Sequence, residues 1–562
     1  MAPRVMIIGL DGATFQFIQP MALAGRLPHL ADLMARGACG ELHSTFPPHT
    51  AASWSTCITG QTPGNHGTLY FHQLDPSRYS GRNGIVTSNA VRGRTIFDVA
   101  GSHGLRVVAM HVPMTFPAWP VNGVMISGYP TPAGTAACAY PRERAESVGK
   151  LHAITRTESP EQRLRFSLER INVLTDLGER ALTEDAPDLF MTVFQDSDAA
   201  HHYFWRYHDQ RSPAYTAEDA QRYGDYIPRI YEALDAAVGR LVAHAGPETR
   251  VFVVSDHGGS MAAPEAFQIN AWLASKGLLI ARDSAPSLLQ RAYSMRKWLL
   301  PSALRGRLAR VVAKANLEGF DELRSGLNQV DWAHTQAYRF MVTAQVEGIA
   351  LNLAGRQPQG IVRPGYEYEQ LRDSLIADMR ALRTPDTNEP LVDEIYRRED
   401  IFGGKHVDHA PDIVFKLHPL YRVGGQAKGP IFTHVKAADL SGPRSGWHDD
   451  YGILIAAGPG IPVGAPVTGA HMLNIAPTIL RALGLRAPDW MDGAVQSNVF
   501  TGDLTPVGDE PDDSWSALRE PVAPRDSETP VAEDDGADEG VYALSGAEEE
   551  SIKERLANLG YL

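Results

Sequence analysis

A chain of 562 residues exceeds what one hydrophobic core organises, so a large domain with insertions, or two domains, is expected. Hydrophobic residues make up 43% of it, enough for a globular interior, and the net charge of −14 argues against binding nucleic acid through bulk charge. Cys39, Cys57 and Cys138 are too few and too scattered for a disulfide framework or a thiolate zinc site.

Val5 to Leu10 reads as a buried parallel strand and places Asp11 at its carboxyl end, the edge where ligand sites of open α/β sheets collect. This apolar run is far shorter than a signal-peptide core and no stretch reaches transmembrane length, so a cytoplasmic protein is expected. Leu27 to Gly37 has helical apolar spacing and ends in Gly. The stretch FPPHTAASWSTCITGQTPGNHG, from Phe46 to Gly67, then carries Thr50 just ahead of a helix-forming run, as a natural N-cap. A hydroxyl there, beside backbone N–H groups and the positive end of the helix dipole, is well placed to attack phosphorus and hold its oxygens.

Further strands are predicted at Arg106 to Met110, Gly123 to Ser127, Asp188 to Phe194 and Arg250 to Ser255, separated by helical patterns such as Ala233 to His244. The alternation predicts a mostly parallel sheet covered by helices. Ser287 to Leu317 is helical and rich in Arg and Lys, which fits a cap beside an anionic-substrate site, a membrane-surface helix pair or the solvated face of an insertion. The α/β texture returns from Ile349 to about Gly460 and ends in strand-like Gly452 to Ala456. Asn474 to Gly484 is a helix that tolerates Pro477 in its first turn. Asp503 to Gly540 has the composition of a poorly ordered acidic linker. Ala547 to Leu562 is helical again, with Ile552, Leu556 and Leu559 on one side, and is predicted to dock back on the body.

Acidic and imidazole groups recur at the predicted strand ends: Asp11, Asp198 with His202 in QDSDAAHH, Asp256 with His257 in SDHGG, and His448 in GWHDDYG. Carboxylate oxygen and imidazole nitrogen together suit Zn²⁺, and less selectively Mn²⁺ or Fe. Divided into two sets, Asp11, Asp256 and His257 hold one ion with Thr50 as fourth ligand, and Asp198, His202 and His448 hold the other. His201 is the rival ligand, but the four-residue spacing puts His202 on the helix face of Asp198. His49, His66, His406, His409 and His471 read as structural residues or supports of the ligands rather than as ligands, with His49, next to Thr50, either solvated or touching substrate.

These motifs resemble the alkaline phosphatase superfamily, specifically its type I phosphodiesterase/nucleotide pyrophosphatase branch. Asp11 in IIGLDG is similar to the family's first metal-binding Asp. Thr50, Thr59-Gly60 and Pro63-Gly64-Asn65-His66-Gly67 resemble its nucleophile, its helix end and its Pro-x-x-His-Gly element. Asp198 with His202, Asp256-His257-Gly258 and His448 resemble its remaining ligands, and FQINAWLASKGLL near Asn270, APTILRALG near Pro477, MDG at Met491 and the closing LANLGYL extend the likeness over nearly the whole chain. The nucleotide pyrophosphatases place an Asn after the His-Gly element, whereas this chain reads TLYFHQL from Thr68, which puts nucleotide specificity in doubt. Thr50 also lacks the Cys-x-Pro-x-Arg context of the sulfatases.

The resemblance implies an alkaline-phosphatase-like α/β core with a mostly parallel sheet between helices, plus an inserted helical cap. The core is expected over residues 1–265 and 345–500, the basic cap over 266–344, an acidic Pro-rich linker over 501–545 and a C-terminal helix over 546–562. The implied activity is hydrolysis of a small-molecule phosphate ester, not a nucleic-acid polymer, through a phospho-Thr50 intermediate and two divalent ions, Zn²⁺ foremost, with the backbone N–H of Thr50 or Ala51 helping to hold the phosphoryl oxygens. A metal-dependent phosphomutase and a non-catalytic binding protein are the alternatives. Leaving group and oligomeric state have no readable code.

Overall fold

The computed structural model describes residues 2–148, 151, 159–282, 330–343, 346–435, 445–502 and 542–558. The basic segment 287–317, the acidic linker 503–540 and Leu559 lie outside the described residues. Among the described residues no helix is long and apolar enough to cross a membrane.

Among the described residues the main sheet has ten strands. Its longer members are β1 (Val5–Leu10), β2 (Ala38–His43), β3 (Val107–Val112), β4 (Gly123–Ser127), β6 (Leu189–Phe194), β7 (Arg250–Val254) and β10 (Tyr451–Ala457). With the short β5 (Ala139–Tyr140) at one edge and Ala465–Pro466 at the other, the order is Ala465–Pro466, β2, β10, β7, β1, β6, β3, β4, β5. β1 pairs in parallel with both β6 and β7, and β3 continues parallel beyond β6. Of the long strands, only β10 runs against its neighbours.

Such a sheet must be apolar on both faces, and β1 shows how the sequence supplies this. Met6, Ile8 and Leu10 enter the core on one side, where α1 (Phe15–Leu23), α2 (Pro28–Ala35), α4 (Pro160–Glu184) and α6 (Tyr226–Val242) pack. Val5 and Ile7 enter the opposite core, shared with α3 (Thr50–Thr59) and α7 (Ile475–Ala482). The strands come to a common rim, and α5 (Asp196–His208) begins at that rim directly after β6. A two-stranded antiparallel ribbon, β8 (Gly258–Met261) with β9 (Gly446–Asp449), stands beside it and sets Gly259 opposite His448.

Residues 346–424, expected to run with the α/β core, instead help to form separate small sheets. Ala337–Met341, Val346–Leu351, Ile413–Leu417 and Val392–Arg397 make an antiparallel four-stranded sheet. Tyr421–Gly424, Glu265–Gln268 and Phe432–His434 make a three-stranded one. Their core, with Phe267, Tyr338, Phe340 and Phe415, also takes in Phe71 and Tyr129 from the site-facing loops. The C-terminal helix α8 (Gly546–Asn558) inserts Ile552 and Leu556 into the same core, two of the three positions predicted to dock, the third being Leu559, outside the described residues.

Candidate metal centre

Adjacent parallel strands converge the acidic residues. Asp11 follows β1, Asp198 lies in the first turn of α5 after β6, and Asp256-His257 follow β7, so the three neighbours β6, β1 and β7 empty onto one rim. All six expected Asp and His ligands and Thr50 are buried. Asp198, His202 and His448 present ligand atoms within 4.8 Å of one another, as do Asp11, Asp198 and His257. Asp198 therefore faces both groups. The second set was expected to hold Asp256 with Asp11 and His257; Asp256 adjoins it, with Oδ2 3.3 Å from His257 Nε2.

Each imidazole is oriented by a backbone carbonyl. His202 Nδ1–H donates to Gly446 O at 2.8 Å, His448 Nδ1–H to Pro48 O at 2.8 Å, and His257 Nδ1–H to Gly258 O at 2.9 Å. A carbonyl can only accept, so all three rings turn an Nε2 lone pair inward. His202 Nε2 and His448 Nε2 lie 3.2 Å apart, and Asp198 Oδ1 is 3.3 and 3.5 Å from them. Two lone pairs and a carboxylate at such distances repel unless a cation or proton lies between them. The second set has the same character: His257 Nε2 is 3.6 Å from Asp11 Oδ1, and both that oxygen and Asp256 Oδ2 are buried without a hydrogen-bond donor among the described residues. The other oxygens are held, Asp11 Oδ2 by the Trp54 indole N–H at 3.0 Å and Asp256 Oδ1 by the Gly12 N–H at 3.1 Å. This donor set fits two divalent cations.

The electrostatics agree. Burial, then the charges of Asp256 and Asp198, push the Asp11 carboxyl well above its ordinary range. Burial pushes Asp256 up to about 6. Burial also opposes ionisation of Asp198, but His202, His448 and His257 outweigh it and hold that carboxyl low. Desolvation and the neighbouring His257 keep the His448 imidazole neutral. Carboxylates crowded this closely need positive charge among them.

Thr50 Oγ1 lies 3.5 Å from His257 Nε2. Thr50 is the first residue of α3, not its cap: His49 is the N-cap, with extended backbone and Nδ1 accepting the Ala51 N–H at 3.2 Å. A ring nitrogen substitutes for the usual Ser or Asp oxygen, and it shifts the helix start by one residue. The Ala51 N–H, expected to hold a phosphoryl oxygen, is thus taken by His49. His201 is separate from the cluster: Tyr231 Oη is 3.1 Å from its Nε2, it stacks on Phe17, and burial drops its pKa to about 3. His66 contacts Thr56 Oγ1 and accepts the Thr68 N–H, bracing the start of the TLYFHQL loop. Where the resemblance would place an Asn, this chain sets an aromatic wall, with Tyr70 and Phe71 packed 4.6 and 4.9 Å from the His49 ring. Sequence reasoning missed His49 as the helix cap, a place it gave to Thr50, and missed Trp54 as the support of Asp11. The local signal was position: His49 directly precedes Thr50, and Trp54, four residues after Thr50, shares its helical face.

A mostly parallel sheet between helical layers, with a buried Asp/His centre at its rim and a threonine at a helix start beside it, defines the alkaline-phosphatase-like class of metal-dependent hydrolases. The chain belongs to the type I phosphodiesterase/nucleotide pyrophosphatase family, whose sequence model matches residues 5–447. It is a phosphoric ester hydrolase, and its family implies dependence on divalent metal. The match stops one residue before His448, which the fold nevertheless delivers to the cluster through β9. Among solved structures, phosphonoacetate hydrolase from Sinorhizobium meliloti 1021, in complex with phosphonoformate, shares the fold at 16% identity and a TM-score of 0.51, over 86% of this chain and 96% of that one. Human ectonucleotide pyrophosphatase/phosphodiesterase 5 aligns at 14% identity and a TM-score of 0.46, over the same shares. No curated protein sequence matches this chain.

Proposed function

We propose that the protein hydrolyses a small-molecule phosphate ester, of the phosphodiester or nucleotide-pyrophosphate type, through a covalent phosphothreonine at Thr50. Asp11, Thr50, Asp256 and His257 would hold one divalent cation and Asp198, His202 and His448 a second, with Asp198 facing both; Zn²⁺ suits the ligand set best, and a cytoplasmic setting suits the three free thiols. When bound, such ions supply Lewis-acid charge that lowers the pKa of a hydroxyl or water and offsets the phosphoryl oxygens.

The chain's own residues do the rest. Burial and the helix start fix the Thr50 oxygen against the imidazole cluster. That hydroxyl gives up its proton to solvent water, its oxygen forms a bond to phosphorus, and the bond to the leaving oxygen breaks with its electron pair, the leaving oxygen taking up a proton from water. Water then attacks the phosphothreonine on the opposite side, which releases the phosphate product and restores the hydroxyl. The positive end of α3 favours the anionic phosphoryl group throughout.

The observation that carries this reading is the Thr50 oxygen lying 3.5 Å from His257 Nε2, at a helix start amid inward-turned lone pairs. Metal analysis of the purified protein, coupled to turnover of bis-p-nitrophenyl phosphate, tests it. Two equivalents of divalent metal per chain are expected, with turnover lost on chelation and restored by Zn²⁺ or Mn²⁺. Undiminished turnover by metal-free protein would overturn the two-ion reading.

A further inference from the structure

The C-terminal helix brings a cation to the neighbourhood of the site. Ile552 and Leu556 anchor α8 in the second core, and between them Arg555 reaches the loop after β4. Its guanidinium lies 5.9 Å from the centroid of the Tyr129 ring and donates to the Thr131 carbonyl. Arg170 and His111 are close enough to feel its charge. Arg170 is bound by the Asp196 carboxylate at 2.8 Å, two residues before Asp198, whereas among the described residues no carboxylate pairs with Arg555. Of the two guanidiniums only Arg170 has a carboxylate among the described residues, and the local balance is positive.

A run of buried ring contacts connects this cation to the residue before Thr50. The Tyr129 ring packs edge-on against Phe71 at 5.2 Å, and Phe71 lies 4.9 Å from His49, the residue before Thr50. Desolvation drops the Arg555 pKa to about 10, so the charge persists at neutral pH but is poorly solvated. A guanidinium in that condition, with one carbonyl and one ring for company, is completed by an anion that brings two oxygens to its planar fork.

We infer that Arg555, seated by the C-terminal helix, is a specificity-determining residue that receives a second anionic group of the substrate, a phosphoryl or carboxylate group several bonds from the reacting phosphorus. The inference rests on the hydrolase reading above. It makes the last helix part of substrate recognition.

A matched pair of esters tests it: the p-nitrophenyl ester of thymidine 5′-phosphate, and the same ester with an added 3′-phosphate, both given to the full-length, metal-loaded protein. The wild type should show the lower KM for the 3′-phosphorylated ester. Arg555→Met should raise that KM roughly tenfold, the loss of one charge-assisted hydrogen bond, while kcat on both esters and KM on the plain ester stay within about twofold, on the order of an ordinary surface substitution. Arg555→Lys should restore part of the preference, and thermal melts of both variants show whether α8 remains seated. Equal KM values for the two esters in the wild type, or a rise in both KM values together, would overturn the inference. So would an orthophosphate-dependent rise in melting temperature that needs Arg555 but comes with no ester preference, since the pocket would then hold a free anion. Failure to turn over the plain ester at all would instead strike the hydrolase reading.

Discussion

Asp198 carries more of the site than its place in the sequence suggests. It is the one carboxylate whose oxygens lie within reach of all three inward-turned imidazoles, and those imidazoles hold it ionised against the cost of burial. Thr50 is the complementary case, a neutral hydroxyl whose value lies only in where it is held. Thr50→Ala removes the oxygen proposed to attack and leaves the six carboxylates and imidazoles proposed as ligands in place. Turnover should fall by at least about a thousandfold, the scale seen when a nucleophile is removed, with metal content close to that of the wild type. Full activity in this variant would show that another group attacks phosphorus.

At the scale of elements, the seat of α3 on the sheet sets the site's geometry. Trp54 projects from α3 over β1, where Gly9 leaves room for it: a methyl group at Gly9 would lie 2.5 Å from Trp54 Cη2 and 2.8 Å from Val193 Cγ2. The same indole holds Asp11 through its N–H. Gly9→Ala should therefore do two things at once. Overpacking should destabilise the protein by about 1–3 kcal/mol, and displacement of Trp54 should lower kcat by shifting Thr50 and loosening Asp11. Thermal melting with steady-state kinetics on one preparation checks both; a lowered melting temperature with unchanged kcat would mean that the helix can move without disturbing the reacting groups.

Over the whole molecule, buried neutral imidazoles make stability depend on pH. His66, His72 and His111 are each driven by burial to a pKa of about 3, against an unfolded value near 6.5. The unfolded chain binds more protons than the folded one between these values, so stability rises with pH across that window. It is complete above about pH 6.5 and is lost progressively as pH falls, with a limiting slope of about 1.4 kcal/mol per pH unit for each imidazole. Urea midpoints of metal-free protein should drop steeply between pH 7 and pH 5. The carboxyls of Asp11 and Asp256, raised by burial, act in the opposite sense, so a flat profile would mean either that they cancel the imidazoles or that these rings are solvated or protonated in the native state.

What the amino-acid sequence determined by itself was local. Six consecutive apolar residues announce a strand buried on both faces, an acid where such a run stops announces a rim residue, and four-residue spacing puts Asp198 and His202 on one side of a helix. The strands from Val5, Gly123, Asp188 and Arg250 and the helices near Leu27 and Asn474 follow from the same periodicities. Only the tertiary structure decided that Asp198 faces both groups of ligands, that a histidine caps the Thr50 helix and takes the Ala51 N–H, that Trp54 crosses to Asp11, and that residues 346–424 pair into sheets of their own. Each of these depends on strand order and register, which bring together groups up to hundreds of positions apart. Periodicity reports which face of an element is apolar; it carries no information about which other element that face will meet.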